Sequence, residues 1–144
     1  MVRHLAGVAE IVDDVAAAVA FYCDTLGFEV KQRMGEDYVV FAVPGILHFG
    51  VWSRAAAAEA TFGDRAAVDS IPLGYTLEFE VDDLDQTASQ IGQSQCVVVQ
   101  EPHTEPWGQK TCRAIAPGGG LLGFAVTPWA RRIAQQVQAS PGDT

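Results

Sequence analysis

Basic side chains are scarce in this sequence. Its 144 residues include nine lysines and arginines against eighteen aspartates and glutamates, which gives a formal net charge of −9. A protein that binds nucleic acid neutralises phosphates with clustered lysine and arginine, so this chain is not expected to bind DNA or RNA. The excess of carboxylates favours solubility and attracts cationic partners.

Long apolar runs are also missing, and no stretch approaches the roughly 18–20 apolar residues of a membrane span. The N-terminus reaches Asp13 and Asp14 too early for a secretory signal. The three cysteines, Cys23, Cys96 and Cys112, are scattered without a CxxC pair. This spacing argues against a zinc knuckle and a disulfide framework, and we expect a cytoplasmic protein with no membrane partner.

Nucleophile and phosphate-binding motifs are absent as well. The sequence contains no GxSxG, no Walker loop and no HExxH. The glycine run at 118–120 leads into an apolar strand pattern rather than a helix, so it predicts a hairpin turn and not a phosphate cradle. With 49% hydrophobic and 19% charged residues, the composition is that of a globular domain.

Two similar halves organise the chain. GVAEIVDDV and TLEFEVDDL both resemble a strand that runs into an acidic helix start, and PGILHFGV and GGGLLGFAV both resemble a Gly-turn hairpin. Each half reads as strand, helix and three strands. We therefore predict an α+β fold in which two tandem βαβββ modules form a curved mixed sheet around a cup-shaped cavity, with the helices outside.

The boundaries follow from the same patterns. Residues 1–127 are expected to form a single domain, with module one at about 1–53, a connector with a short helix at about 54–72, and module two at about 73–127. In module one, strands are predicted at 5–12, 28–32, 38–43 and 46–52. EPHTEPWGQ is predicted to be a loop, and 128–144 a C-terminal helix with a frayed tail.

Three segments carry a family resemblance. VDDVAAAVAFYCDTLGFEV and VDDLDQTASQI resemble the two strand–helix entries of the vicinal oxygen chelate superfamily, the glyoxalase, bleomycin-resistance and extradiol dioxygenase group. EPHTEPWGQKTCRAIAPGGGLLGF resembles its "P-W-G … D-P-x-G-N" ending. The resemblance covers about Leu5 to Val126. Within the superfamily, the sequence most resembles the bleomycin-resistance-type binding proteins. It implies two modules around a funnel-shaped cavity, usually in a homodimer.

The resemblance also indicates where metal-using members place their ligands. These positions correspond here to Gly7 and Thr76 on the first strands, and to His48 and Gly123 on the last. Of the four, only His48 is a strong ligand, whereas a transition-metal site needs three or four such side chains. We therefore expect no metal and no other cofactor.

Other residues leave alternatives open. Glu78 and Glu80 share the predicted cup face with Thr76, where they either face solvent or a ligand, or join His48 in a new metal triad. His4 faces the other way by period-two counting. Glu10 falls on the helix side, where a carboxylate is unexpected.

Aromatic side chains complete the candidate site. Trp107, in a Pro-Trp-Gly turn, is predicted to be a wall or lid of the cup, with core packing as the alternative. Phe41 and Trp52 are expected to line the cup. His103 is expected in a surface loop. The predicted ligand-binding set is His48, Trp107, Glu78, Glu80, Thr76, Phe41 and Trp52.

Two kinds of function fit these observations. The first is a small-molecule binding protein that captures an antibiotic or aromatic metabolite, planar or cationic, without a metal, and so confers resistance by sequestration. The second is an enzyme: a metal-dependent lyase, isomerase or dioxygenase, or a metal-free enzyme that uses His48 as acid or base. No catalytic residue is assigned, and a homodimer is expected.

Overall fold

The fold alternates strands and helices in two consecutive blocks. A computed structural model describes residues 2–129. The predicted C-terminal helix falls almost entirely on 130–144, outside the described residues. The elements are β1 (Val2–Val12), α1 (Val15–Ala20), continued by a wide π-helical turn (Phe21–Thr25), β2 (Glu29–Met34), β3 (Tyr38–Ala42), β4 (Phe49–Ser53), α2 (Arg54–Phe62), a 3₁₀ turn (Ala67–Ser70), β5 (Gly74–Val81), α3 (Leu84–Gly92), β6 (Val97–Thr104), β7 (Lys110–Ile115) and β8 (Leu121–Val126).

Short polar side chains start the three α-helices. Asp14 accepts a hydrogen bond from the Ala17 amide at 3.0 Å, and Asp83 accepts one from the Gln86 amide at the same distance. Each satisfies an amide that the first helical turn leaves unpaired. The two Asp-Asp pairs of the sequence therefore begin equivalent helices in the two modules, as predicted.

All eight described strands belong to one sheet, in the order β2-β3-β4-β1-β5-β8-β7-β6. Within each module the first strand runs parallel to the last, β1 with β4 and β5 with β8. The modules join where β1 pairs antiparallel with β5. This confirms the predicted mixed sheet of two βαβββ modules and shows that a single chain joins them edge to edge.

The two outer helices cover one face of the sheet. In module one, Val19 and Tyr22 pack on Val39, Phe41 and Val51. In module two, Leu84 and Ala88 of α3 pack on a core formed by Val81, Cys112, Ala114 and Phe124. These side chains alternate along their strands with those of the opposite face, which corresponds to the predicted cup and which we call the cup face.

The connector helix α2 lies on the cup side. Its Ala57 and Ala58 are fully buried against Ile11 and Leu121. These two residues share a sheet face with Gly7 and Gly123, because the side chains along a strand alternate. Whereas α1 and α3 are outside as predicted, α2 covers part of the cup face.

The pairing of β1 and the length of β6 correct two predictions made from the sequence. On β1 the register with β5 shifts between Leu5 and Gly7, so His4 pairs with Glu80 and lies on the cup side. Period-two counting fails at this bulge, and the prediction that His4 faces the other way was wrong. On β6 the strand continues to Thr104. The predicted loop therefore begins only after that residue, and His103 is a strand residue that pairs with Thr111.

Candidate functional site

Three glycines form the floor of the cup, and a polar side chain lies over each. A Cβ added to Gly7 would approach the His48 ring to 3.1 Å, and one added to Gly50 would approach the Tyr38 ring to 2.8 Å. A Cβ on Gly123 would meet the Glu78 side chain at 3.5 Å. We call Tyr38, His48 and Glu78 the polar triad. The missing glycine side chains leave the space that its members occupy.

Tyr38 and His48 are directly coupled. The Tyr38 hydroxyl and His48 Nε2 form a hydrogen bond of 2.7 Å. Burial, followed by the nearby positive charge of Lys31, lowers the pKa of His48. Burial and the charge of Glu78 raise the pKa of the Tyr38 phenol. At neutral pH both groups are therefore uncharged, and the hydrogen bond can pass a proton between them.

Glu78 is the third member of the polar triad. It lies between Gly7 and Gly123, its neighbours on β1 and β8. Among residues 2–129, its carboxyl has no hydrogen-bond partner. Burial is the main cause of a raised pKa at Glu78; the charge of Arg113 opposes that shift, and those of Glu80 and Glu105 add to it. A carboxyl held in this way is ready to pair with a ligand.

A second polar group ties α2 to the sheet. Arg113 on β7 donates to the Ala60 carbonyl at 3.2 Å and to the side-chain oxygen of Gln100. Its guanidinium lies 5.6 Å from the Trp52 ring centre, and its Nη1 is 3.8 Å from Glu105 Oε1. Burial lowers the pKa of Arg113. Through these contacts Arg113 holds α2 against the cup face of the sheet.

Glu80 and Thr76 lie on the predicted face but are engaged in structural contacts. Both carboxylate oxygens of Glu80 accept hydrogen bonds from Thr127, one from its amide and one from its hydroxyl, each at 2.7 Å. The Thr76 hydroxyl donates to the Leu121 carbonyl at 2.7 Å. Both side chains therefore anchor β8 to β5, and the Glu80 carboxylate is bonded within the protein instead of facing solvent or a ligand.

The predicted aromatic residues lie in three different environments. Phe41 is 2% exposed and packs beneath α1 on the outer side, so the prediction that it lines the cup was wrong. Trp52 lies on the cup side beside Tyr38, with ring centres 6.1 Å apart. Trp107 is 58% exposed, which excludes the core alternative. Its indole donates to Gln109 at 3.0 Å.

Glu10 and His103 both have partners within the protein. Glu10 lies on the outer side as its spacing indicated, and it accepts a 2.7 Å hydrogen bond from the Tyr22 hydroxyl. Tyr75 lies 2.9 Å from the same hydroxyl. His103 Nε2 is 3.2 Å from Glu105 Oε1, near the Arg113 group. The Glu10 carboxylate is therefore explained by a tyrosine that the helix supplies.

The residues at the family's metal positions do not fit a metal ion. Gly7 and Gly123 bear no donor, the Thr76 hydroxyl is bonded to backbone, and His48 is bonded to Tyr38. Within residues 2–129, no three histidine, cysteine, aspartate or glutamate side chains are grouped to hold a metal. The alternative triad of His48, Glu78 and Glu80 is therefore not assembled.

A separate cleft of about 1020 Å³ opens on the outer face, between α1 and the β2–β3 hairpin. Two of the charged residues in its lining are paired: Arg65 donates to both oxygens of Asp37, at 3.0 and 3.2 Å, and also to Glu59 at 2.9 Å. The Ser53 hydroxyl also donates to Asp37. These contacts fix the connector against module one. None of the residues that line the cleft belongs to the polar triad.

Sequence reasoning missed Tyr38 as a site residue, and it missed Arg113. The signal for Arg113 was present, since TCRA at 111–114 alternates polar and apolar residues and places the arginine on the face opposite Cys112. Tyr38 had no such signal, because its place over Gly50 depends on the pairing of β3 with β4. No helix in the described part of the chain is long and apolar enough to cross a membrane.

Comparisons with known proteins agree with this architecture. Among solved structures, a glyoxalase/bleomycin resistance protein/dioxygenase superfamily member from Vibrio splendidus 12B01 has a TM-score of 0.60 at 18% identity, covering 83% of this chain and 96% of its own. A methylmalonyl-CoA epimerase of Streptomyces coelicolor, in complex with 2-nitronate-propionyl-CoA, has a TM-score of 0.55 at 18% identity and covers 89% and 99%. An NAD-dependent benzaldehyde dehydrogenase of Legionella pneumophila has 0.58 at 19%, covering 83% and 96%.

At these identities the solved structures show the fold alone. A search of curated proteins found no match. The family model of the Glyoxalase/Bleomycin resistance protein/Dioxygenase superfamily, however, matches residues 4–124, which include both modules and the whole glycine floor. The chain therefore belongs to the Glyoxalase/Bleomycin resistance protein/Dioxygenase superfamily.

Proposed function

We propose that this protein binds a small organic molecule in its cup without a metal ion, and that it acts by sequestering the molecule, as an antibiotic- or metabolite-binding protein does. The observation that carries the proposal is the polar triad on the glycine floor. Two of the four metal-ligand positions are glycines, and they make room for His48 over Gly7 and for Glu78 over Gly123, while Gly50 makes room for Tyr38. A ligand would meet these three side chains directly.

The surroundings of the triad support binding of a molecule with an aromatic or apolar body. Trp52 and Tyr38 offer ring faces on the same side of the sheet. Trp107 is exposed on the turn after β6 and is held by Gln109. Gln109 also donates to Thr127, the residue that binds Glu80. This chain of contacts supports the assignment of Trp107 to the cup rim.

A second candidate function is a metal-free enzyme in which His48 acts as acid or base. The 2.7 Å hydrogen bond between His48 and Tyr38 favours it, because a proton taken up at one group can be passed to the other. The fold also supports enzymes, since the Streptomyces coelicolor relative is an epimerase captured with an acyl-CoA compound. This candidate shares the cup and differs only in whether a bond is made or broken.

A ligand screen with metal analysis tests the proposal. Purified protein would be screened by thermal shift against antibiotics and aromatic amines, alcohols and acids, with and without EDTA. We expect hits whose shift is unchanged by EDTA, and far less than one equivalent of zinc, iron, nickel or manganese per chain. A stoichiometric metal whose removal abolishes binding would disprove the proposal.

Variants and a product assay separate the two candidates. His48→Ala should weaken any hit that binds in the cup, whereas the exposed-face control Glu101→Gln should not. Each hit would then be incubated with protein and recovered for mass and chirality analysis. Unchanged recovery supports sequestration, while turnover lost in His48→Ala would establish the metal-free enzyme instead.

A further inference from the structure

Glu78 differs from Glu80 and Glu105, because no side chain or amide in the described chain forms a hydrogen bond or a close ion pair with it. Glu80 is held by Thr127. Glu105 accepts from Thr111 at 2.9 Å and lies 3.2 Å from His103. Glu78 extends over Gly123, where a Cβ would already be in van der Waals contact. Its carboxyl is therefore free to meet a ligand that reaches the floor.

The charge around Glu78 favours a cation. Three carboxylates, those of Glu78, Glu80 and Glu105, act on the same region as one guanidinium, that of Arg113. Arg113 donates its hydrogen bonds to the Ala60 carbonyl and to Gln100, and not to Glu78. The local balance is therefore negative once Glu78 ionises, and a ligand cation would reduce that excess of negative charge.

We propose that the cup selects ligands that carry a primary amine, and that the ligand's ammonium group pairs with the Glu78 carboxylate. The inference rests on the proposed binding function and names the chemical class that the same site takes. The balance is simple: an ammonium ligand and a protonated carboxyl become an ammonium–carboxylate pair and one proton in the buffer.

Geometry supports this choice over a ligand carboxylate. A ligand anion would be repelled by the three carboxylates. A neutral ligand hydroxyl would bring no positive charge to pair with the Glu78 carboxylate, so it would not favour ionisation of Glu78. Burial raises the pKa of Glu78, so wherever the Glu78 carboxyl is protonated, that carboxyl supplies the proton that is released. The titratable and charged groups that face Glu78 from the packed elements are Tyr38, His48, Glu80, Glu105 and Arg113, with Lys31 acting on His48 and His4 lying beside Glu80.

The test compares three probes of similar shape: 2-phenylethylamine, 2-phenylethanol and 3-phenylpropionate. Binding to the full chain would be measured by calorimetry between pH 5 and 8, in two buffers of different ionisation enthalpy. We expect the amine to bind best and to release a proton where Glu78 is protonated. Its affinity should rise with pH by up to tenfold per unit until Glu78 is ionised, and then level off.

Two variants make the test specific. Glu78→Gln keeps the shape of the side chain but cannot ionise, so it should lose the preference for amine, the pH dependence and the proton release, while retaining phenylethanol binding. Glu101→Gln removes one charge from the exposed face of β6 and should change none of these. It controls for the overall charge of the protein.

The outcomes distinguish this inference from the proposed function. If the alcohol binds as well as the amine with no proton release, or if the ligand screen yields only compounds without an amine, the inference is wrong and the binding function stands. If no compound of any class binds in the cup, both are wrong. An amine preference that survives in Glu78→Gln would also overturn the inference.

Discussion

Single residues decide what this cup can do. His48 and Glu78 are both largely shielded from solvent, and this desolvation moves their pKa values in opposite directions, down for the imidazole and up for the carboxyl. Both shifts favour the neutral form. On the floor of the cup, the charged forms of the imidazole and of the carboxyl are therefore both less favoured than in water.

The pH dependence of stability should report on Glu78. Its pKa is higher in the folded than in the unfolded state, so the folded state binds more protons between the two values and stability falls as pH rises through that window. Glu78→Gln should therefore be more stable than the wild type at neutral pH, with the difference vanishing below pH about 4. Urea unfolding from pH 4 to 8 measures this, and an equal pH slope in both proteins would contradict it.

Trp107 should contribute to binding and little to stability. It is 58% exposed, so Trp107→Ala should change the midpoint of unfolding only slightly. If the indole stacks on the ligand at the rim, the loss of about 1–3 kcal/mol should lower affinity roughly ten- to a hundred-fold. Titration of a cup ligand into both proteins checks this. An unchanged Kd would remove Trp107 from the site.

At the scale of elements, strand pairing positions the polar triad. Tyr38 lies over Gly50 because β3 pairs with β4, His48 lies over Gly7 because β4 pairs with β1, and Glu78 lies beside Gly123 because β5 pairs with β8. Each member of the triad therefore depends on a glycine of a neighbouring strand. The hydrogen bond from Arg113 on β7 to the Ala60 carbonyl then holds α2 on the cup face.

A glycine-to-alanine series should rank these contacts. Gly50→Ala would place a Cβ 2.8 Å from both the Tyr38 ring and the Val39 carbonyl, so it should destabilise the protein by about 1–3 kcal/mol or more. Gly7→Ala, at 3.1 Å from His48, should displace the imidazole at a smaller cost. Gly123→Ala, at 3.5 Å from Glu78, should be tolerated. Thermal unfolding gives the ranking, and a Gly50→Ala protein as stable as Gly123→Ala would contradict it.

At the scale of the molecule, a single chain supplies both modules of the sheet. The outer face of this sheet keeps apolar side chains exposed between α1 and α3. Leu5 is 46% exposed, Phe21 50% and Tyr75 58%. The edge strand β2 is exposed along most of its length and bears charged residues such as Lys31, which disfavour edge-to-edge pairing. The outer face is therefore the better candidate for contact with a second copy.

We expect a symmetric homodimer through this outer face. Light scattering at tens of micromolar should give twice the 15.4 kDa chain mass. Leu5→Lys should shift the protein toward monomer, whereas Val97→Lys, at an exposed position on the distant strand β6, should not. A monomeric wild type would disprove the prediction, and dissociation by Val97→Lys alone would place the interface elsewhere.

The sequence by itself determined the βαβββ repeat, because strand alternation, the two Asp-Asp helix starts and the glycine turns are local signals. It also located His48, Glu78, Trp52 and the exposed turn of Trp107. Only the tertiary structure decided which face each side chain occupies, since one bulge reverses the direction of His4 and a one-residue parity error misplaces Phe41. Likewise, only packing revealed that Thr127 engages Glu80 while Glu78 stays unpaired, because hydrogen bonds between distant segments have no local sequence pattern.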